Sequence, residues 1–145
     1  MFVTNSIKSE IQSTLNIMLS HASILYELSN RPAGWSDDTL LQLAAERAFH
    51  VAVECATDVG NDIIDALVMR DAGGYGDIIK VLAEEGVVQQ DWIRQFAPAI
   101  DFRQRLVRDY KTVSAGDVED NVAACAALFA PYAEAIRSYL QLDNP

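Results

Sequence analysis

A chain of 145 residues has room for one domain with its own core and too little for two comfortable ones. Half of the residues are hydrophobic and 22% are charged, which excludes disorder over most of the length. A formal net charge of −10 excludes broad electrostatic binding to nucleic acid, which needs a basic face, but leaves room for a local basic site.

The opening "MFVTNSIKSE" has no basic segment followed by an apolar one, so no signal peptide is expected. No apolar run reaches the roughly 18 residues of a membrane span, and a soluble, cytoplasmic protein is expected. Cys55 and Cys125 sit in apolar helical runs outside any metal-ligand spacing. They read as buried thiols in a reducing compartment rather than as a disulfide.

The first helix begins with Asn5 or Ser6 as its cap and carries Ile7, Ile11, Leu15, Met18, Ala22 and Leu25 at helical spacing. "NRPAGWSDD" breaks it. Ser36 or Asp37 is the expected cap of a long second helix, from about Asp38 to Met69. That helix is apolar over more than half its circumference, which implies contacts on several sides, a second copy of the chain among the options. "RDAGGYGD" ends it, and "YGDIIKVLAEEG" reads as a short third helix.

A fourth helix spans "QQDWIRQFAPAIDFRQRLVRDYK", with Pro98 as a start or a kink. "TVSAGDVEDN" is a turn capped by Ser114 or Asp117. The last helix runs to about Leu140, kinked or split by Pro131. No strand-like alternation, repeat or linker interrupts the pattern. The expected fold is one all-α domain over residues 1–145, a four- to five-helix up-and-down bundle.

The second helix carries one polar stripe: Arg47, His50, Glu54, Asp58, Asn61 and Asp65, at intervals of three or four. It reads either as a solvated edge or as the wall of a polar groove. His50, Glu54 and Asp58 could reach one metal ion by spacing, yet no second ligand pair exists and His21 is the only other histidine, so no metal is expected.

In the fourth helix Arg103, Leu106, Val107 and Tyr110 share a stripe continued backward by Phe96 and Ala99. An unpaired buried guanidinium costs several kcal/mol, so Arg103 needs a partner or an opening to water. Glu54, Asp58 and Asp65 are the candidate partners. Arg103 is then either a tie between helices or the lining of a cleft for an anion such as phosphate. Arg105 and Arg108 fall on the other side of that helix. With Lys111 they form either solvated surface or a receiver for a phosphate backbone.

"RQRLVRDY" resembles the signature of the HepT-like branch of the HEPN superfamily, whose usual form is R-N-x-L-V-H-x-Y. Arg103, Leu106, Val107 and Tyr110 match it, while Gln104 stands for the asparagine and Arg108 for the histidine. "ERAFHVAVECATDVGNDIID", Glu46 to Asp65, is similar to the family's long second helix, with its acidic and amide positions at Glu54, Asp58 and Asn61. "YGDIIKVLAEEGVV" is similar to the short helix before the signature.

The resemblance implies a helical bundle and a homodimer, with the signatures of two chains facing a shared cleft. It implies metal-independent cleavage of RNA without a cofactor, the histidine moving the proton and the arginine holding the phosphate. It implies a toxin role beside a nucleotidyltransferase-type antitoxin, which in some members adds AMP to the tyrosine matching Tyr110. The expected catalytic set is Arg103, Arg108 and Tyr110. Arg105, Lys111, Glu54, Asp58 and Asn61 are expected to bind. A guanidinium cannot act as a base near neutral pH, so Arg108 points to weakened or lost cleavage. The alternative is a non-catalytic dimeric module for a nucleotide, an RNA or the nucleotidyltransferase partner. His50, on another helix, is not expected to reach the cleft.

Overall fold

The computed structural model describes residues 3–142, and every regular element among them is helical. α1 spans Asn5–Ser29, α2 Thr39–Ala66, α3 Tyr75–Glu84, α4 Gln90–Arg108, α5 Ala115–Cys125 and α6 Phe129–Leu140. Short 3-10 turns occupy Trp35–Asp37, Tyr110–Thr112 and Ala126–Leu128. The last of these joins α5 directly to α6, so the two form one broken rod in a bundle of five. Pro131 lies in the first turn of α6, where its missing N–H costs little, and the expected split falls just ahead of it.

Helical spacing places Ile11, Leu15, Met18, Ala22, Leu25 and Leu28 on the buried face of α1. Its cap is Thr4 rather than Asn5 or Ser6: the Thr4 hydroxyl accepts from the Ile7 N–H. For α2 the cap is Asp38, which accepts from the Leu40 and Leu41 N–H groups. Ser36 and Asp37 are unavailable because they lie in the 3-10 turn, where Ser36 is buried and bonded to Glu119. Glu119 also accepts from the N–H of Gly34, whose φ of +92° favours glycine. α2 stops at Ala66, three residues short of Met69, and the chain turns at Val68 with φ +52°.

α2 is the centre of the bundle, packed on α1, α3, α4, α5 and α6, so its many-sided burial is met within the chain. Phe49 meets Phe102 edge-on at 5.1 Å, and Tyr132, stacked on Trp92, donates to the Ala56 carbonyl at 2.6 Å. α2 and α4 therefore run antiparallel. Gly60 lets α3 approach α2, since a Cβ there would stand 2.6 Å from Ile78 Cγ2. Arg70 fastens the loop ahead of α3 by pairing with both Asp77 and Glu84. Cys55 and Cys125 are free and buried, and burial pushes both thiols up to about 11. No helix among the described residues is long and apolar enough to cross a membrane.

α4 does not continue to Lys111. It ends at Arg108, and Tyr110 falls in the 3-10 turn beyond. The buried stripe of α4 is Phe96, Ala99 and Phe102, whereas Val107 and Tyr110 are 41% and 62% exposed. The last turn of α4 projects past the core, so the apolar spacing there does not translate into burial.

Candidate functional site

Arg103 follows buried Phe102 on α4, and its side chain is only 15% exposed. Three helices meet at its guanidinium. Nε donates to Glu54 Oε1 on α2 at 2.8 Å, and Nη2 donates to the Tyr75 hydroxyl, from the first residue of α3, at 3.1 Å. Tyr75 in turn donates to Glu54 Oε2 at 2.9 Å, and its ring lies under the guanidinium at 4.0 Å. The ion pair, the cation–π contact and the two hydrogen bonds offset the desolvation of a largely buried charge. Burial and the bond to Glu54 raise the Tyr75 pKa, which keeps the phenol protonated.

Neither bond uses Arg103 Nη1, which makes no hydrogen bond among the described residues. Arg103 also lines a cavity of about 420 Å³ together with Tyr75, Gly76, Ile100, Gln104 and Arg108. Arg108 is exposed and has no hydrogen-bond or ion-pair partner among the described residues. Arg108 thus shares the wall with Arg103 instead of lying on the far side of the helix. Two guanidiniums with donors uncommitted among the described residues stand at one opening in an acidic chain, a donor set chemically suited to an anion.

The other expected site residues are placed elsewhere. Arg105 donates to Asp117 at 3.0 Å, and Asp117 closes a capping box with Ser114, so this pair ties α4 to the start of α5. The Ser114 backbone N–H, followed by Arg105, holds the Asp117 carboxyl below the usual range. Tyr110 and Lys111 are exposed in the turn after α4. Asp58 and Asn61 are exposed on α2. None of these five lines the cavity.

His50 comes nearer than its position on α2 led us to expect. Its Nε2 stands 3.3 Å from Glu54 Oε1, the oxygen that also accepts from Arg103. It touches the same carboxylate without lining the cavity. With Arg103, Tyr75 and His50 gathered on it, Glu54 is committed to protein partners, and no cluster of three metal-ligating side chains forms among the described residues. Tyr75 is the site residue that spacing did not reveal. It lies 28 residues before Arg103, and only the packing of α3 against α4 joins them. A larger groove of about 730 Å³, walled by Val87, Trp92, Leu128, Pro131 and Tyr139, contains Asp91 as its only charged group and offers an anion no cation.

The sequence pattern of the family described as Ribonuclease HepT-like matches residues 18–136. The chain belongs to the HepT-like ribonuclease family. YutE of Bacillus subtilis (strain 168), named as a candidate RNase, is 31% identical over 136 residues, covering 94% of this chain and 91% of YutE. A structure of YutE, described there as a cytosolic protein of unknown function, superposes with a TM-score of 0.83 over 97% of this chain and 94% of its own. The fold is also that of a tri-AMPylated Shewanella oneidensis HEPN toxin in complex with its MNT antitoxin. That toxin is 16% identical, with a TM-score of 0.79 over 93% of this chain and 99% of the toxin.

Proposed function

We propose that this HepT-like protein is a toxin-type component acting on RNA, and that it holds RNA phosphate between Arg103 and Arg108 with its cleaving power weakened or lost. The observation that carries this is the shared cavity, lined by both arginines, each of which has donors that no group among the described residues uses. Cleavage of a phosphodiester by the neighbouring 2′-hydroxyl needs a group to take that proton and another to protonate the leaving oxygen. Arginine serves neither role near neutral pH, since it stays charged, but it stabilises the negative phosphate. Among the residues lining the cavity only Tyr75 carries a titratable proton besides the arginines, and that proton is committed to Glu54.

The chain acts as a homodimer in this reading, with two signature segments facing one cleft. Exposed Leu40, Leu43, Val107 and Tyr110 support it, because the antiparallel run of α2 and α4 brings these ends of the helices side by side. The partner is a nucleotidyltransferase-type antitoxin, as in the structures of HEPN toxins with MNT antitoxins. Tyr110, 62% exposed beside the cavity-lining Arg108, is the acceptor for AMP. The working compartment is the cytoplasm.

The specific observation favouring a purely binding module is the same lack of a proton-transfer group on the cavity wall. Arg108→His separates the two. Gain of RNA cleavage in that variant identifies an intact ribonuclease scaffold carrying a disabled site. Wild-type cleavage that survives Arg103→Ala would contradict a reaction routed through this cavity.

A further inference from the structure

Glu10, Ile17, Ile24 and Arg31 recur at intervals of seven along α1 and just past its end. All four are exposed, with Ile17 at 49% and Ile24 at 41%. An interval of seven is close to two helical turns, so they form one line on the outer face. Between them the helix is free of Asp, Glu, Lys and Arg from Ile11 to Tyr26, in a chain whose net charge is −10.

Three of the polar side chains near that line, Thr14, His21 and Ser23, already bond to carbonyls of their own helix. The Thr14 hydroxyl donates to the Glu10 carbonyl at 3.1 Å, and the Ser23 hydroxyl donates to the Ser20 carbonyl at 2.7 Å. His21 Nδ1 lies 2.9 Å from the Ile17 carbonyl, to which it donates. Covering this face leaves those groups paired, which removes the usual penalty of burying polar atoms. Among the described residues the Arg31 side chain is held by a 3.7 Å contact with Glu27 alone.

We infer that the outer face of α1 is a self-association surface whose occupant is α1 of a second copy of this chain, laid antiparallel across a two-fold axis. The charge pattern selects that occupant. Antiparallel pairing about the midpoint of Ile17 and Ile24 sets Ile17 against the partner's Ile24. The same register sets Glu10 against the partner's Arg31, and the two-fold repeats both contacts. A parallel pair would set like charge against like. Small Ser13 and Ser20 flank the isoleucines and permit close approach of the two helices. A charge-free strip is also where two chains of net charge −10 meet with least repulsion.

α1 packs on α2, α5 and α6, whereas the Arg103 cavity lies where α3 and α4 meet. The surface therefore goes beyond the RNA reading and leaves that cavity open.

Sedimentation velocity on the full chain tests it. Ile17→Glu with Ile24→Glu halves the assembled mass, and the two exposed positions leave helicity by circular dichroism intact. Glu10→Arg alone weakens assembly, and adding Arg31→Glu restores it. Under mild oxidation Ser20→Cys, close to the two-fold axis, forms a linked pair, while Asp120→Cys on exposed α5 does not. An unchanged mass in the double isoleucine variant, or no restoration by the charge swap, overturns the inference. RNA binding measured on the same variants stands or falls separately.

Discussion

Arg103 Nε and Glu54 Oε1 stand 2.8 Å apart, joining α4 to α2 across 49 residues of sequence, and Tyr75 bonds to both. The arginine is therefore both an interhelical tie and part of a cavity wall. Its Nε and Nη2 serve the tie, and Nη1 makes no hydrogen bond among the described residues.

The tie has a measurable cost of removal. Arg103→Gln and Glu54→Gln should each lower the unfolding free energy by about 1–3 kcal/mol, because each leaves a charged, partly buried partner short of a bond. Urea melts of both single variants and the double variant should show coupling of about 0.5–3 kcal/mol. Strict additivity would mean the pair contributes nothing to the fold.

At Arg108 the expected change is in chemistry with little change in stability, because its side chain is exposed and has no partner among the described residues. Arg108→His puts a group that titrates near neutrality on the cavity wall. Cleavage of single-stranded RNA should rise at least about tenfold, a modest part of what a positioned acid–base group supplies. Thermal melting should stay within a few degrees of wild type. No gain in cleavage would mean that position 108 is not the missing proton-transfer site.

Gly60 tests the seating of α3, and with it the placement of Tyr75. A methyl group there would stand 2.6 Å from Ile78 Cγ2 and 3.3 Å from Leu82 Cδ1, both in buried side chains. Gly60→Ala should destabilise by about 1–3 kcal/mol through overpacking, despite the higher helix propensity of alanine. Stabilisation in a denaturant titration would show that α3 shifts freely.

Acid should weaken the fold. Arg70 holds the Asp77 carboxyl well below its ordinary value, with the Gly73 N–H adding to it, and Arg70 likewise lowers Glu84. Backbone N–H groups do the same for Asp117, from Ser114, and for Glu119, from Gly34 and Ser36. A carboxyl lowered in the folded state binds fewer protons there than in the unfolded chain. Its contribution is present above an unfolded pKa of about 4 and is lost as pH falls through the folded value. Asp58 and Asp62, raised first by partial burial and then by neighbouring carboxylates, act in the opposite sense. With four groups against two, urea midpoints should fall from about pH 5 downward. Arg70→Gln should flatten part of that slope, and an identical slope would remove Arg70 from the explanation.

Much of this was legible in the residues themselves. The burial of Ile11, Leu15, Met18 and Leu25 follows from spacing alone, while for α5 the sequence offered Ser114 or Asp117 and the structure uses Ser114 as the cap with Asp117 closing the capping box. The start of α1 was less so, because Thr4, Asn5 and Ser6 all carry suitable side chains and only the path of the backbone selects Thr4. The end of α4 was misleading for a different reason. "LVRDY" keeps a helical rhythm, yet only Leu106 of its apolar residues packs on the core, and Val107 and Tyr110 stay exposed. The need of Arg103 for an acidic partner followed from charge burial, but the choice of Glu54 over Asp58 and Asp65 depends on how α4 crosses α2. Tyr75 and His50 join the cluster through tertiary packing, for which local spacing carries no signal.

Binding of a single-stranded RNA, followed by fluorescence anisotropy at fixed salt, probes the two-arginine cavity most directly. Wild-type protein should bind, and Arg103→Ala and Arg108→Ala should each weaken binding by about tenfold or more, as the loss of one charge-assisted phosphate contact requires. Arg105→Ala should be nearly neutral, because that guanidinium is spent on Asp117. Equal affinity in wild type, Arg103→Ala and Arg108→Ala would contradict a phosphate-holding role for this cavity.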